Sequence, residues 1–297
     1  MASLSIIVLA YNHQDFIGEN LDGIFMQEIS GNVELIICND ASTDGTHALI
    51  TKKISAAPKN FTVKYFNHSE NLGATPNFYF ALEQITGEYI AFCEGDDYWT
   101  DPQKLETQLK FLALNPEYSL CFHQVMNVSP HAAYNQKIFA TVEDRDYSAP
   151  EIYRHWTVHT ASVVMRRSVL DSDAFQKTLK NPTLLYFDTI LFLAASTMGK
   201  IRGMSRTMSA YRRHEQGISF RQNLKKDLAH NDLDTIIADY HGGKIKNLAN
   251  WQIFMRSKLG FETALKQRKY TVAYNFLVWI LKKHKILIIY LIKKWQP

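Results

Sequence analysis

The first hundred residues carry four apolar runs of strand length separated by stretches of helical periodicity, and that alternation leaves few folds open. The runs are "LSIIVLAY" (4–11), "VELIIC" (33–38), "FTVKYF" (61–66) and "EYIAFC" (88–93). Between them, "FIGENLDGIFMQ" sets Phe16, Leu21, Ile24 and Phe25 near helical spacing, and "HALITKKI" and "NFYFALEQI" read as helices. Strands this apolar are covered on both faces, and strands joined through helices run parallel. The expectation is an α/β fold, a mostly parallel sheet flanked by helices. Such sheets bind ligands beyond the carboxyl ends of their strands. Asp40 in "NDASTDGT" (39–46) and the trio Glu94, Asp96 and Asp97 both fall at such ends.

The middle of the chain is less regular. "DPQKLETQLKFLAL" (101–114) reads as a helix with Asp101 as N-cap and Pro102 at its first position. "YSLCFHQVMNV" (118–128) reads as a strand, residues 129–147 as polar loop, "TVHTASVVMRR" (157–167) as a strand and "DTILFLAAST" (188–197) as a helix. "KIRGMSRTMSAYRRH" (200–214) predicts one or two short strands. From about residue 219 the pattern turns helical, with a break at Gly242–Gly243. The expected organisation is one α/β domain over 1–216, with a ligand-binding half at about 1–100 and a second half at about 101–216. A helical region over 217–297 follows, closed by a basic amphipathic tail.

Cys38, Cys93 and Cys121 are well separated inside apolar segments, which argues for buried reduced thiols and against a zinc site or disulfide framework. The start of the chain has neither a basic leader nor a small-residue cleavage site, and no run of about 18 apolar residues appears, so a cytoplasmic protein is expected. The net charge of +4 is unevenly placed. After Glu262 come eight Lys and Arg and no acid, and in the rest of the chain acids outnumber bases, 29 to 25. That distribution points to an anionic partner for the tail alone and gives no reason to expect nucleic acid.

Four constellations carry chemistry, and each has a plain structural reading beside the functional one. Asp40 either belongs to a turn capping the next helix or bonds a nucleotide base at the sheet edge. Glu94, Asp96 and Asp97 are either an acidic solvated turn or hard oxygen ligands for Mg²⁺ or Mn²⁺, ions that pair carboxylates with phosphate oxygens. Asp188 in "YFDTILF" is either a helix cap or a general base tuned by partial desolvation. Arg212, Arg213 and His214 are either a solvated basic turn or a grip on phosphates and metal.

Together and in this order the four are far more specific. The segments "SIIVLAYN" (5–12), "ELIICNDASTDGT" (34–46), "NLGATPNF" (71–78), "AFCEGDDYW" (91–99), "FDTILF" (187–192) and "YRRH" (211–214) make residues 4–216 resemble the family 2 glycosyltransferases. The resemblance implies a GT-A (Rossmann-like) fold and an inverting, metal-dependent transfer from a nucleotide-sugar donor. On family frequency the donor is UDP-linked. It implies that Ala10, Tyr11 and Asn12 line the nucleotide, that Asp40 bonds the base, and that Asn71, Gly73 and Asn77 flank the same pocket. "EGDD" is similar to the family's Asp-x-Asp element with Glu94 in first place. Asp96 is then expected near ribose and diphosphate, and both Asp97 and Asp96 stand in the metal set with His214, with the choice of direct ligand between the two left open.

The same resemblance makes Asp188 the catalytic base, with Phe187 standing where the family commonly has an acid. It places His214 over metal and diphosphate and Arg212 and Arg213 at the diphosphate. Trp156, His159 and Glu94 fall on the acceptor side. The acceptor implied is a glycan or lipid-linked hydroxyl, in bacterial surface polysaccharide synthesis. The tail over 266–297 is expected to sit on an anionic membrane, the inner face of the cell membrane, with Trp279, Tyr290 and Trp295 near the headgroups. A helical hairpin or a dimer contact is the competing reading. A non-catalytic nucleotide-sugar-binding relative is the alternative from another class, though it predicts loss of the acids that are present. A sugar-phosphate nucleotidyltransferase would need a Gly-rich, Arg-containing loop after the first strand, where "AYNHQDFIGEN" stands.

Overall fold

The computed structural model describes residues 3–130, 135–178, 187–215, 217 and 223–288. They fall into two compact units, one built from residues 1–182 and 188–214, the other from 183–187 and 215–297.

In the first unit the four apolar runs become β1 (Leu4–Ala10), β2 (Val33–Asn39), β3 (Phe61–Asn67) and β4 (Tyr89–Phe92). The helices α1 (Ile17–Phe25), α2 (Thr46–Ile54) and α3 (Ala74–Glu83) alternate with them. β1 is flanked by β2 and β4, parallel to both, and β2 pairs in parallel with β3. Ile6, Val8, Leu35, Ile37 and Ala91 in these strands are fully or almost fully buried, and they form one cluster with Ile17, Leu21 and Ile24 of α1. Burying the non-alternating strands on both sides is what selects this layered arrangement.

The chain winds β1 to β2 to β3 in one direction and then returns to place β4 on the other side of β1. That reversal opens a crevice at the carboxyl ends of β1 and β4. Residues 11–13 and 93–97 emerge there side by side, Gly95 N–H bonding the Leu9 carbonyl at 2.8 Å and Cys93 N–H the Ile7 carbonyl at 3.0 Å.

The remaining strands are β5 (Tyr98–Trp99), β6 (Tyr118–Val128), β7 (Val164–Arg166) and β8 (Lys200–Arg212), giving the order β3-β2-β1-β4-β7-β6-β8-β5. β7 is antiparallel to β4 and β6, and β5 to β8, while β6 and β8 are parallel. The helices here are α4 (Lys104–Leu114), α5 (Ala149–His155), α6 (Asp173–Thr178) and α7 (Asp188–Met198).

Local expectations change in three places. The strand expected over 157–167 is reduced to β7, because Thr160–Ser162 form a 3-10 turn in which His159 Nδ1 accepts the Ala161 N–H. The short strands expected over 200–214 are one 13-residue strand, β8, with register shifts along β6. α4 begins at Lys104 and not at Pro102, because the chain first closes a tighter turn in which the Lys104 N–H bonds the Asp101 carbonyl at 3.2 Å, while the Asp101 carboxylate accepts the Gln103 N–H as a cap does.

The second unit contains α8 (Leu224–His241), α9 (Gly243–Lys266) and α10 (Tyr270–Lys282). Gly242 and Gly243 adopt φ of 60° and 46°, which makes the expected break. Asn231 of α8 donates to Ser257 of α9 at 2.8 Å, and Arg256 pairs with Asp234 at 2.8 Å. α10 packs through Ala273, Phe276 and Ile280, Phe276 lying against Gly260. Among the described residues no helix is long and apolar enough to cross a membrane. Tyr290 and Trp295 lie outside the described residues.

Candidate active site

The loops after β1 and β2 are laced into one rim. Asn12, in a left-handed conformation at φ 55°, accepts Thr43 N–H at 2.9 Å through Oδ1 and gives its own N–H to Ser42 Oγ. Thr46 Oγ1 accepts His13 N–H at 2.8 Å. Ala10 is buried at the strand end, while Tyr11 stands 46% exposed on the rim.

Asp40 is buried, and its carboxylate accepts Leu72 N–H at 2.7 Å and Gly73 N–H at 2.9 Å. Asn71 Nδ2 donates to the Asp40 carbonyl, so Asp40, Asn71 and Gly73 meet in one turn. Each Asp40 oxygen keeps a second lone pair for another donor. Gly73, at φ 89°, lets the chain enter α3 in that turn. Asn77 is different. It is buried with Oδ1 against His68 Nε2 and Nδ2 on the Cys38 carbonyl, so its polar groups hold the fold instead of facing the crevice.

The acidic turn 94–97 is held from beneath by two residues. Asn20 of α1 donates through Nδ2 to the carbonyls of Glu94 at 2.8 Å and Asp97 at 2.9 Å. Arg212 closes the other side: its backbone N–H bonds Asp97 Oδ1 at 2.9 Å and its Nη1 the Asp96 carbonyl at 2.8 Å. The guanidinium also pairs with Glu19 and lies over the ring of Tyr98 at 4.4 Å. Arg212 therefore serves the scaffold, and the diphosphate contact expected of it does not fit. Arg213 lies beside it with its backbone N–H on the Val128 carbonyl.

The two aspartates, both expected in the metal set, divide by burial and partners. Asp97 is 2% exposed, with Oδ1 on Arg212 and Oδ2 3.7 Å from His159 Nε2. Burial, with the charges of Asp96 and Glu94, raises its carboxyl well above the usual range. Asp96 is the more open, its Oδ2 3.0 Å from His214 Nε2 and 3.9 Å from His13 Nε2. Burial pushes Asp96 up, but His13 and His214 outweigh it and hold the carboxyl below its ordinary value. Asp97 is thus turned into the fold, and Asp96 with His214 is the more open pair.

Two cis ligands of an octahedral ion at about 2.1 Å lie about 3 Å apart, so Asp96 Oδ2 and His214 Nε2 have a spacing that suits Mg²⁺ or Mn²⁺. Among the described residues no group of three or more His, Cys, Asp or Glu side chains is placed to hold a metal ion.

Glu94 faces the other way. Burial and the charges of Asp96 and Asp188 push its carboxyl up to about 8, Thr160 hydrogen-bonds it, and its Oε2 has no partner. Asp188, half-buried at the start of α7, is raised from the usual carboxylate range by burial, and its Oδ1 accepts Thr189 N–H at 2.7 Å. A desolvated carboxyl of this kind is a stronger base once ionised. His159, expected on the acceptor side, is instead largely buried between Phe139 and Tyr211, and burial lowers it to about 4. Trp156 is 43% exposed at the end of α5, in a left-handed conformation at φ 47°.

Sequence reasoning missed Asn20, Glu19, His13 and Phe16. Asn20 had a visible signal: it is a polar residue on the α1 face that Ile17, Leu21 and Ile24 bury. The others needed the crevice itself.

The profile of glycosyl transferase family 2 matches residues 5–214, a span that contains every residue of this crevice. The chain belongs to glycosyl transferase family 2. Its fold is the mixed α/β, Rossmann-like GT-A fold with C-terminal helices. This family 2 chain is 35% identical over 215 residues to an uncharacterized protein of Mycobacterium tuberculosis, an alignment covering 72% of this chain and 60% of that protein. The chain therefore spans less than two thirds of that relative's length. An Escherichia coli relative, UDP-Glc:alpha-D-GlcNAc-diphosphoundecaprenol beta-1,3-glucosyltransferase WfaP, is 35% identical over 112 residues, 38% of this chain and 42% of that one. Among solved structures, TarS 1–349 of Staphylococcus aureus in complex with UDP-GlcNAc superposes with a TM-score of 0.74 at 16% identity, covering 95% of this chain and 81% of that one. The mannosyltransferase PcManGT of Pyrobaculum calidifontis, in complex with GDP-Man and Mn²⁺, gives 0.59 at 17% identity over 98% of this chain and 87% of that one. At these identities the two structures speak for the fold.

Proposed function

We propose that this protein is an inverting glycosyltransferase that moves a hexosyl or N-acetylhexosaminyl group from a UDP-sugar to a hydroxyl of a glycan or lipid-linked acceptor. The observation that carries the reading is the meeting of Asp96 and His214, 118 positions apart, in the crevice at the ends of β1 and β4. The raised carboxyls of Glu94 and Asp188 lie within electrostatic reach of each other. Asp40, with Asn71 and Gly73 behind it, bonds the base, and Tyr11 covers it. Asp96 and His214 would hold the divalent cation, Mn²⁺ or Mg²⁺, and Arg213 would face the diphosphate. When bound, the ion supplies charge neutralisation for the leaving diphosphate.

Asp188 takes the proton from the acceptor hydroxyl as that oxygen attacks the anomeric carbon from the face opposite the nucleotide. One displacement inverts the configuration and needs no covalent sugar–enzyme intermediate. Glu94 remains protonated near neutrality and donates a hydrogen bond beside the base. Trp156 offers its exposed ring to the acceptor, the role His159 leaves vacant.

The E. coli relative's diphosphoundecaprenol acceptor supports a lipid-linked acceptor and surface polysaccharide synthesis. So does resemblance to TuaG of Bacillus subtilis, named for teichuronic acid biosynthesis, at 35% identity over 109 residues. The tail over 266–297 seats the protein on an anionic membrane surface from the cytoplasmic side. Tyr270, Tyr274 and Leu281 are exposed on α10, which Lys269 precedes and Lys282 and Lys283 close. The test is release of nucleoside diphosphate from a panel of nucleotide sugars. Release from a UDP-sugar that needs Mn²⁺ or Mg²⁺, and that falls about 10²- to 10⁴-fold in Asp188→Asn, is expected. Metal-independent release, or unchanged release by that variant, rejects the mechanism.

A further inference from the structure

Lys104, the first residue of α4, is fully buried, and the mechanism above does not use it. A lysine is almost never enclosed without an ionic partner, because taking an ammonium out of water is costly. Here the amine has no carboxylate partner among the described residues. It faces the thiols of Cys93 and Cys121, both kept neutral by burial, and burial lowers the amine itself to about 7. A side chain held at that cost is explained by what it touches.

Its contacts lead to one place. Lys104 Nζ donates to Gln108 Oε1 at 2.9 Å and stands 4.2 Å from the centre of the Trp99 ring. By taking Oε1 it fixes which end of the Gln108 amide turns away, and Gln108 Nε2 donates to the Ser162 carbonyl at 2.9 Å and the Cys121 carbonyl at 3.2 Å. Trp99, held by its face, donates Nε1–H to the Ala161 carbonyl at 2.9 Å. Both lines converge on the Thr160–Ser162 turn, and the Thr160 side chain hydrogen-bonds Glu94, whose carboxyl feels the charge of Asp188. An apolar side chain at position 104 would leave Gln108 Oε1 without its donor and the amide free to turn its oxygen towards the carbonyls.

We infer that Lys104 is a positioning residue for the transfer step, acting through Trp99 and Gln108 on the Thr160–Ser162 turn and through Thr160 on Glu94. This rests on the reading that Glu94 and Asp188 form the acceptor side of the site.

The test follows UDP release from UDP-glucose and UDP-N-acetylglucosamine by the full chain with Mn²⁺, water serving as acceptor. Lys104→Met keeps an unbranched side chain and removes the amine, and a melting curve establishes that it folds. The KM for the UDP-sugar should stay unchanged while kcat falls about tenfold. Thr160→Val, of the same shape, should give the same split. The double variant should be no slower than the slower single variant, because both changes break one path. Should Lys104→Met fail to fold, Gln108→Met takes its place in the cycle with the same expectation. A folded variant with unchanged kcat, or losses that multiply in the double variant, overturns the inference and leaves the Asp188 mechanism standing. A wild type that releases no UDP from either sugar overturns both.

Discussion

At the scale of single residues, the crevice separates carboxylates by what surrounds each of them. Glu94, Asp96, Asp97 and Asp188 bear the same group, and burial raises three of them while two histidines hold Asp96 down. Glu94 gives the clearest consequence for stability. Its folded value, about 8, lies above its unfolded value near 4.5, so the native state holds the proton more tightly than the unfolded chain. Below pH 4.5 both states are protonated and the group is neutral for stability. Between there and about pH 8 the native state is progressively penalised, and above pH 8 the penalty is complete. Glu94→Gln removes the titration. Its melting temperature should match the wild type near pH 4.5 and exceed it by an amount that grows up to pH 8. A difference that is flat across this range would show that burial does not govern Glu94.

At the scale of elements, the least regular strand depends on one side chain. β7 has three residues, and Arg166 at its end donates to the carbonyls of Tyr118 at 2.8 Å and Leu112 at 2.6 Å and to Tyr89 Oη at 3.1 Å. It therefore joins β6, the end of α4 and β4. Arg166→Met should cost about 2–3 kcal/mol, since carbonyls that accepted charged donors lose them, read as a lower urea midpoint with unchanged slope. A midpoint unmoved by this change would place the junction's stability elsewhere.

The same element shows where sequence reading ends. β1, β2, β3 and β4 were legible because each is an uninterrupted apolar run, and β6 because it keeps strand character over its whole length. β7 was overextended because "TVHTAS" has the composition of a strand, and what bends it is a local bond between His159 and Ala161. α5 went unread although "SAPE" at 148–151 spells its capping box, with Ser148 and Glu151 closing on each other. In the crevice, Asp40, Asn71, Gly73, Asp96, His214 and Asp188 were legible as residues of interest. Asn77, Arg212 and His159 were read as ligands because motif position does not say which way a side chain turns. All three are engaged by the fold.

At the scale of the whole molecule, charge and chain order are the informative quantities. The eight bases after Glu262 repel a second copy of the same tail and attract an anionic surface. Flotation with vesicles containing phosphatidylglycerol should recover the protein at low salt and lose it as salt rises, each lysine near the surface contributing about 1 kcal/mol. Lys282, Lys285, Lys293 and Lys294 all changed to Gln should abolish flotation. Equal recovery with neutral vesicles, or no effect of the four changes, removes the membrane from the account. Chain order brings β4 and the end of β8 together, and that meeting assigns Asp96 to the crevice and Asp97 to the scaffold. Titration of UDP with Mn²⁺ into Asp96→Asn and Asp97→Asn, each with a melting curve, tests this division most directly. Asp96→Asn should remain folded and lose Mn²⁺-dependent UDP binding by at least about tenfold, whereas Asp97→Asn, whose side-chain Oδ1 still accepts the Arg212 N–H, should remain folded and keep that binding. Metal-dependent binding that survives in Asp96→Asn and disappears in a fully stable Asp97→Asn would contradict the account.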